Sequence, residues 1–166
     1  MKSVFKKLIV IAAIVAVLGA GALIDLGVSK AYKIEFVSVA RLDENGQPVA
    51  DGEIPAACGI ADGSTVVQFV VRLTRHGKPV SGHTLYVRTN RNVLERTDTD
   101  AEGQVVIHYR CYRGGAVSPV VLTVRDEDNS VFVFVPAEAS YTLPMVKGET
   151  EEGSGMTTDD IFYDID

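Results

Sequence analysis

Cys58 and Cys111 are the only two cysteines of the chain. In an exported domain such a pair reads as one disulfide, tying the segment ahead of Val66 to the end of the run from Gln104. By the chain-entropy account, closing a loop of that length stabilises a fold by about 4 kcal/mol. The spacing His108-x-x-Cys111, together with Cys58, offers three zinc-type donors. The paired ligand spacing of structural zinc sites is missing, however, and His108 fits an alternating strand. No metal is assigned there.

The segment Asp98-x-Asp100-x-Glu102-Gly103 looks like the opening of a calcium loop, but its twelfth position is Tyr109 where a bidentate carboxylate is needed. A turn is the expected structure, with Asp98, Asp100 and Glu102 as weak metal candidates. Asp126, Glu127 and Asp128 form a second acidic loop that a folded sandwich can bring to the same end. His76 and His83 flank a Gly-Pro turn, with Ser64 and Ser81 nearby in sequence, and they read as solvated turn histidines. Neither Gly-x-Ser-x-Gly nor His-Glu-x-x-His occurs, so no catalytic residue and no cofactor is assigned. The expectation is a protein that is not an enzyme.

Arg88, Arg91, Arg96, Arg110 and Arg113 are concentrated in the second half of the chain. If Arg88 and Arg110 share a sheet face, they form a basic binding face for an acidic protein, a wall polymer or the chain's own tail. That tail carries Glu149, Glu151, Glu152, Asp159, Asp160, Asp164 and Asp166 without a basic residue among them. Such a composition predicts disorder. Ile161, Phe162 and Tyr163, set among its aspartates, are a candidate short binding motif.

These residues need elements to hold them. Lys2, Lys6 and Lys7 precede an apolar and small-residue run from Leu8 to Ile24, 17 residues long. A helix of that length lies at the lower edge of what crosses a hydrocarbon core of about 30 Å. The flanking charges place the N-terminus in the cytoplasm and all downstream residues outside. Either the segment stays as a single-pass anchor, or Ala20-Gly21-Ala22 is the cleavage site of a signal peptide and the domain is secreted.

From Tyr32 onward, short runs rich in Val, Ile, Tyr and Thr alternate with turn residues. Strands are predicted over 33–39, 66–73, 83–89, 104–109, 120–125 and 130–135. Asp43-Glu44-Asn45-Gly46, His76-Gly77-Lys78-Pro79 and Asp100-Ala101-Glu102-Gly103 are the turns between them. Strands at such spacing make a β-sandwich.

Three stretches resemble the group 1 bacterial immunoglobulin-like domain of invasin- and intimin-type surface proteins. They are Ala61-Asp62-Gly63-Ser64-Thr65, Gly77-Lys78-Pro79-Val80-Ser81-Gly82 and Thr97-Asp98-Thr99-Asp100-Ala101-Glu102-Gly103-Gln104. Similar turns also occur in transthyretin-like sandwiches, so the strand topology stays open. The resemblance implies a spacer, scaffold or binding module without catalytic residues. Unlike the family's tandem arrays, this chain has room for one such domain.

Net charge is −6 and most of the acidity lies in the tail, which excludes nucleic acid as a general partner. Trp is absent, so an antibody-type core built on that residue is excluded. The expected organisation is a cytoplasmic stub and anchor over 1–30, then a leading strand and linker over 31–59. An all-β, Ig-like sandwich over 60–146 and an acidic tail over 147–166 follow. The expected role is a non-enzymatic module held at a bacterial cytoplasmic membrane, with its domain outside. It would bind a protein or cell-wall polymer, as an accessory part of a surface or secretion assembly. The alternative is a calcium- or carbohydrate-binding sandwich.

Overall fold

Alternation in the strand Val66–Arg75 organises the domain. In the computed structural model, which describes residues 2–114, 117–126, 128 and 136–148, Val67, Phe69, Val71 and Leu73 are fully buried. The intervening residues face outward, as a two-residue period requires. Among the described residues, ten strands follow one helix, α1 (Lys2–Ser29): β1 (Tyr32–Arg41), β2 (Gly59–Ala61), β3 (Val66–Arg75), β4 (Lys78–Pro79), β5 (Thr84–Thr89), β6 (Val93–Asp98), β7 (Gln104–Arg110), β8 (Val120–Asp126), β9 (Ala137–Leu143) and β10 (Met145–Lys147).

The strands form two main sheets. In the first, β3 lies between β1 on one side and β7 with the short β4 on the other, all antiparallel. In the second the order is β6-β5-β8-β9, again antiparallel. β2 and β10 make a small parallel pair. The main sheets pack through Phe69, Val71 and Ile107 of one and Leu85, Val87, Leu122 and Val124 of the other, all fully buried. Each such side chain contributes roughly 1.5–3 kcal/mol relative to exposure. The chain is an all-β sandwich, as its strand pattern predicts.

Three details place the functional residues. A bulge in β1 between Phe36 and Ser38 leaves Val37 exposed and resets the alternation, so that Val39 pairs with Phe69. β1 adjoins β9 along one side of the sandwich, and β6 adjoins β7 along the other. Finally, β9 is the strand that pairs with β8 over Asp126↔Ala137 to Val120↔Leu143. The predicted partner strand over 130–135 lies outside the described residues.

The helix joins the sandwich with almost no linker. Lys30 N–H still donates to Leu26 O (3.1 Å), and His76 N–H already donates to Ala31 O (3.0 Å). Among the described residues, no helix is long and apolar enough to cross a membrane. The described apolar side chains of α1 between Ile9 and Ile24 nevertheless stand open, with Val17 71% and Leu23 72% exposed.

The β6–β7 turn closes on Gly103 at φ 70°, packed against the β3–β4 corner. A Cβ there would lie 2.6 Å from Leu73 O and 2.8 Å from Val80 N, both backbone atoms. The Gly103→Ala variant should therefore lose about 2–3 kcal/mol, from left-handed strain plus the displaced backbone. Urea unfolding measures this, and a loss below about 0.5 kcal/mol would contradict the packing described.

Candidate functional site

His83 and Asp126 are set by strand parity. His83 precedes β5 by one residue and shares the inward face with Leu85 and Val87, while Asp126 ends β8 on the inward face with Leu122 and Val124. Since Leu85 pairs with Asp126, His83 lies diagonally across from the carboxylate at the rim of the core. Thr99, itself buried, fixes this rim. Its Oγ1 accepts from His83 N–H (3.0 Å), and its N–H donates to His83 O (3.0 Å).

The His83 Nδ1 lies 3.0 Å from Asp126 Oδ2 and 3.3 Å from Oδ1. Asp126 Oδ1 also accepts from Asp128 N–H (3.1 Å), an Asx turn that brings the Asp128 carboxylate alongside. Thr84 then bridges two acids, its N–H donating to Asp128 Oδ2 (2.7 Å) and its hydroxyl to Asp98 Oδ1 (2.8 Å). One ligand atom from each of His83, Asp126 and Asp128 lies within 4.8 Å of the others. On the inner side, the Tyr32 ring sits 5.4 Å from the imidazole, and the Arg75 guanidinium covers Tyr32 at 5.3 Å.

Burial dominates the electrostatics. Asp126 has no solvent exposure, which pushes its carboxyl above the ordinary value, and the hydrogen bond and charge of His83 pull it partly back. The trio can hold a proton between imidazole and carboxylate, or present one nitrogen and two carboxylates to a cation. Among the described residues, no hydroxyl or thiol is hydrogen-bonded to the His83 imidazole.

The other sequence candidates are distributed differently. Asp98 joins this cluster, but Asp100 caps its own turn, accepting from Glu102 N–H (3.0 Å) and Gln104 N–H (2.7 Å). Glu102 is exposed within that turn. The calcium-loop likeness is thus a turn, as expected. His83, in contrast, is a half-buried, paired histidine where the sequence reading made it a solvated one. Its parity with Leu85 and Val87 was the available signal.

The five arginines do not form one face. Arg88 and Arg96 lie on the outer face of the β6-β5-β8-β9 sheet, with Arg96 over the Tyr86 ring at 5.5 Å. Arg110 lies on the outer face of the other sheet, because β7 alternates with Ile107 and Tyr109 turned inward. Arg91 caps the far end, stacked 3.7 Å from the Tyr112 ring centroid and donating to Ser118 Oγ (2.8 Å). Arg113 pairs with Asp62 at that end through an isolated antiparallel backbone β-bridge. The shared face expected for Arg88 and Arg110 fails because the strands belong to opposite sheets. The Ile161, Phe162 and Tyr163 motif lies outside the described residues.

The expected Cys58–Cys111 bridge is not formed; both residues are buried free thiols. Each sulfur has another neighbour. Cys58 Sγ donates to Pro144 O (3.3 Å), and Cys111 Sγ packs with Met145 Sδ over Gly59, where a Cβ would lie 2.9 and 2.5 Å from them. Burial raises both thiols, Cys111 to about 11, so neither is an activated nucleophile at neutral pH. None of the protein-family models, curated proteins or solved structures compared with the chain matches it.

A carboxyl whose folded pKa is raised binds its proton more tightly in the folded than in the unfolded state. Its contribution to stability is therefore lost as pH rises from the ordinary 3.8 through the raised folded value. Asp126→Asn removes this component. Urea midpoints from pH 3 upward should show the variant gaining on the wild type through that window and then running level. A pH-independent difference would show that Asp126 is not held as described.

Proposed function

We propose that the chain is a membrane-held, extracytoplasmic β-sandwich of the bacterial envelope that works by binding a protein or wall polymer. The observation that carries this reading is the open apolar surface of α1. A helix that is apolar on all sides is stable only in apolar surroundings, and among the described residues no strand of the sandwich covers this one. The run Leu8–Ile24 rises about 26 Å, a few Å short of a typical hydrocarbon core, a mismatch that a bilayer absorbs by thinning locally. The lysines ahead of the run orient it with the sandwich outside. The resemblance to group 1 bacterial immunoglobulin-like domains suits a two-sheet sandwich and supports the cell surface as its setting.

The outer face of the second sheet supports the contact role. Tyr86 is flanked in register by Arg96 on β6 and Arg125 on β8, with Arg88 two residues along the same strand. An aromatic ring framed by arginines is the composition of protein-binding surfaces. It suits an acidic partner.

A second reading, cation binding at the β5–β8 end, is favoured by the His83–Asp126–Asp128 cluster. Its imidazole nitrogen departs from the all-oxygen sets that hold calcium and suits zinc or manganese. Under this reading zinc raises the thermal midpoint, a chelator reverses the rise, and Asp126→Asn abolishes it, with calcium inactive. An unmoved midpoint with zinc removes it.

For the main reading, the full-length chain should stay with membranes through salt and alkaline washes, and deletion of residues 8–24 should release it. From those membranes, Arg88→Glu with Tyr86→Ala should lose at least about tenfold of a partner cross-linked to the wild type. Release of the intact chain by salt alone overturns the anchor, and an unchanged partner overturns the contact face.

A further inference from the structure

The junction between α1 and the sandwich carries a charge pattern opposite to that of the chain as a whole. A cleft of ≈ 420 Å³ opens on the outer face of the first sheet, directly beside the end of the helix. Lys30, Lys33, Arg72 and His76 line it, with Glu35 as its single acid. Register accounts for this grouping, because Lys33 pairs with Thr74 and Glu35 with Arg72, placing these four side chains on one outward row. Glu35 is engaged by Lys33 in an ion pair. Arg72 is left with its Nε buried and without a hydrogen-bond partner among the described residues.

An anion entering the cleft would meet the positive charges of Lys30 and Arg72. Distance says which anion is at hand. From Ile24, the end of the apolar run, to Lys30 is six helical residues, about 9 Å. The headgroup layer on each side of a bilayer is about 5–8 Å thick, so a helix inserted to Ile24 brings Lys30 and the cleft to its outer boundary.

We infer that this cleft binds the phosphate of anionic lipid headgroups and seats the sandwich against the membrane that holds its helix. The inference rests on the anchoring reading above and adds a lipid specificity to it. The ligand chemistry is a phosphodiester monoanion without the compensating headgroup cation that phosphatidylcholine carries, held by Arg72 and the two lysines. Charge attraction of this kind is lost within a Debye length of the surface, so only a cleft already held at the headgroups can use it. The helix provides that position.

The test uses the full-length protein reconstituted in vesicles of phosphatidylcholine alone, or of phosphatidylcholine with a minority of phosphatidylglycerol. A membrane-impermeant acylating reagent modifies exposed lysines, and mass spectrometry reads each site. Lys147, exposed on β10 at the far end of the sandwich, is the internal reference. Lys30 and Lys33 should be acylated at least about threefold more slowly than Lys147 in the anionic vesicles, but not in the neutral ones. Arg72→Gln should abolish the difference, while Arg96→Gln, on the opposite sheet, should leave it intact. Stable insertion in both vesicle types with equal labelling overturns the cleft and leaves the anchor standing. Failure to insert in either overturns the anchor and this inference with it. Equal protection by inorganic phosphate in neutral vesicles would identify a free anion as the ligand and overturn the lipid assignment.

Discussion

Phe69 touches Phe36 of β1 edge-on at 6.2 Å and Tyr141 of β9 edge-on at 5.8 Å, and those two rings meet each other at 5.4 Å. One side chain in the middle of β3 thereby couples the first sheet to the last long strand of the second. Edge-to-face geometry of this kind adds about 0.5–1.5 kcal/mol per pair beyond area burial. Its greater effect is on register. A slip of β3 by one residue would turn Val67, Phe69, Val71 and Leu73 to solvent together, so the hydrophobic effect holds the strand in one pairing. Since β1, β4 and β7 all pair with β3, the outward row that includes Arg72 is fixed by the same inward row that includes Phe69.

The same alternation explains how much was legible in the sequence. Strands with β-branched or aromatic residues at every second position, such as β3, β5, β7 and β8, announce themselves. β6 does not, because it is an edge strand with Arg96 and Asp98 on its outer face and an exposed Glu95 on the other. β9 is equally quiet, with Ala137, Ala139 and Tyr141 facing the core in place of the usual valines and isoleucines. Missing β9 hid one side of the aromatic cluster. The arginine pattern misled for a different reason. Parity tells which side of its own strand a residue occupies, but not to which sheet the strand belongs, and Arg88 and Arg110 differ in the second respect only. Likewise, parity was sufficient to turn His83 inward, but its partner Asp126 came from a strand 43 residues away.

The two ends of the sandwich have different chemistry. At the helix-proximal end, ionisable groups close the core: Arg75 covers Tyr32, Tyr32 meets His83, and His83 meets Asp126. At the far end, beneath Arg91 and Arg113, the core is closed by sulfur side chains. Cys58, Cys111 and Met145 are buried around Gly59, where β10 pairs with β2 and brings the chain back beside the start of β3. A sulfur cluster tolerates irregular packing because thioethers and thiols are polarisable and lack strong hydrogen-bond demands. The small parallel pair, with three partners a side, would otherwise be a weak closure.

The absence of a flexible linker between α1 and β1 gives the polar end its significance. A long linker would let the sandwich tumble relative to the helix, with no face of it held towards either end. Here the last helical hydrogen bond ends at Lys30, and the first bond from the sandwich, from His76 N–H, is accepted by the next residue, Ala31. Rotation is confined to the few dihedrals between them. Whatever holds the helix therefore also selects which end of the sandwich faces it, and that end carries the basic cleft and the His83–Asp126 pair. The arginine-framed Tyr86 lies on the outer side of the second sheet, away from the cleft on the outer side of the first.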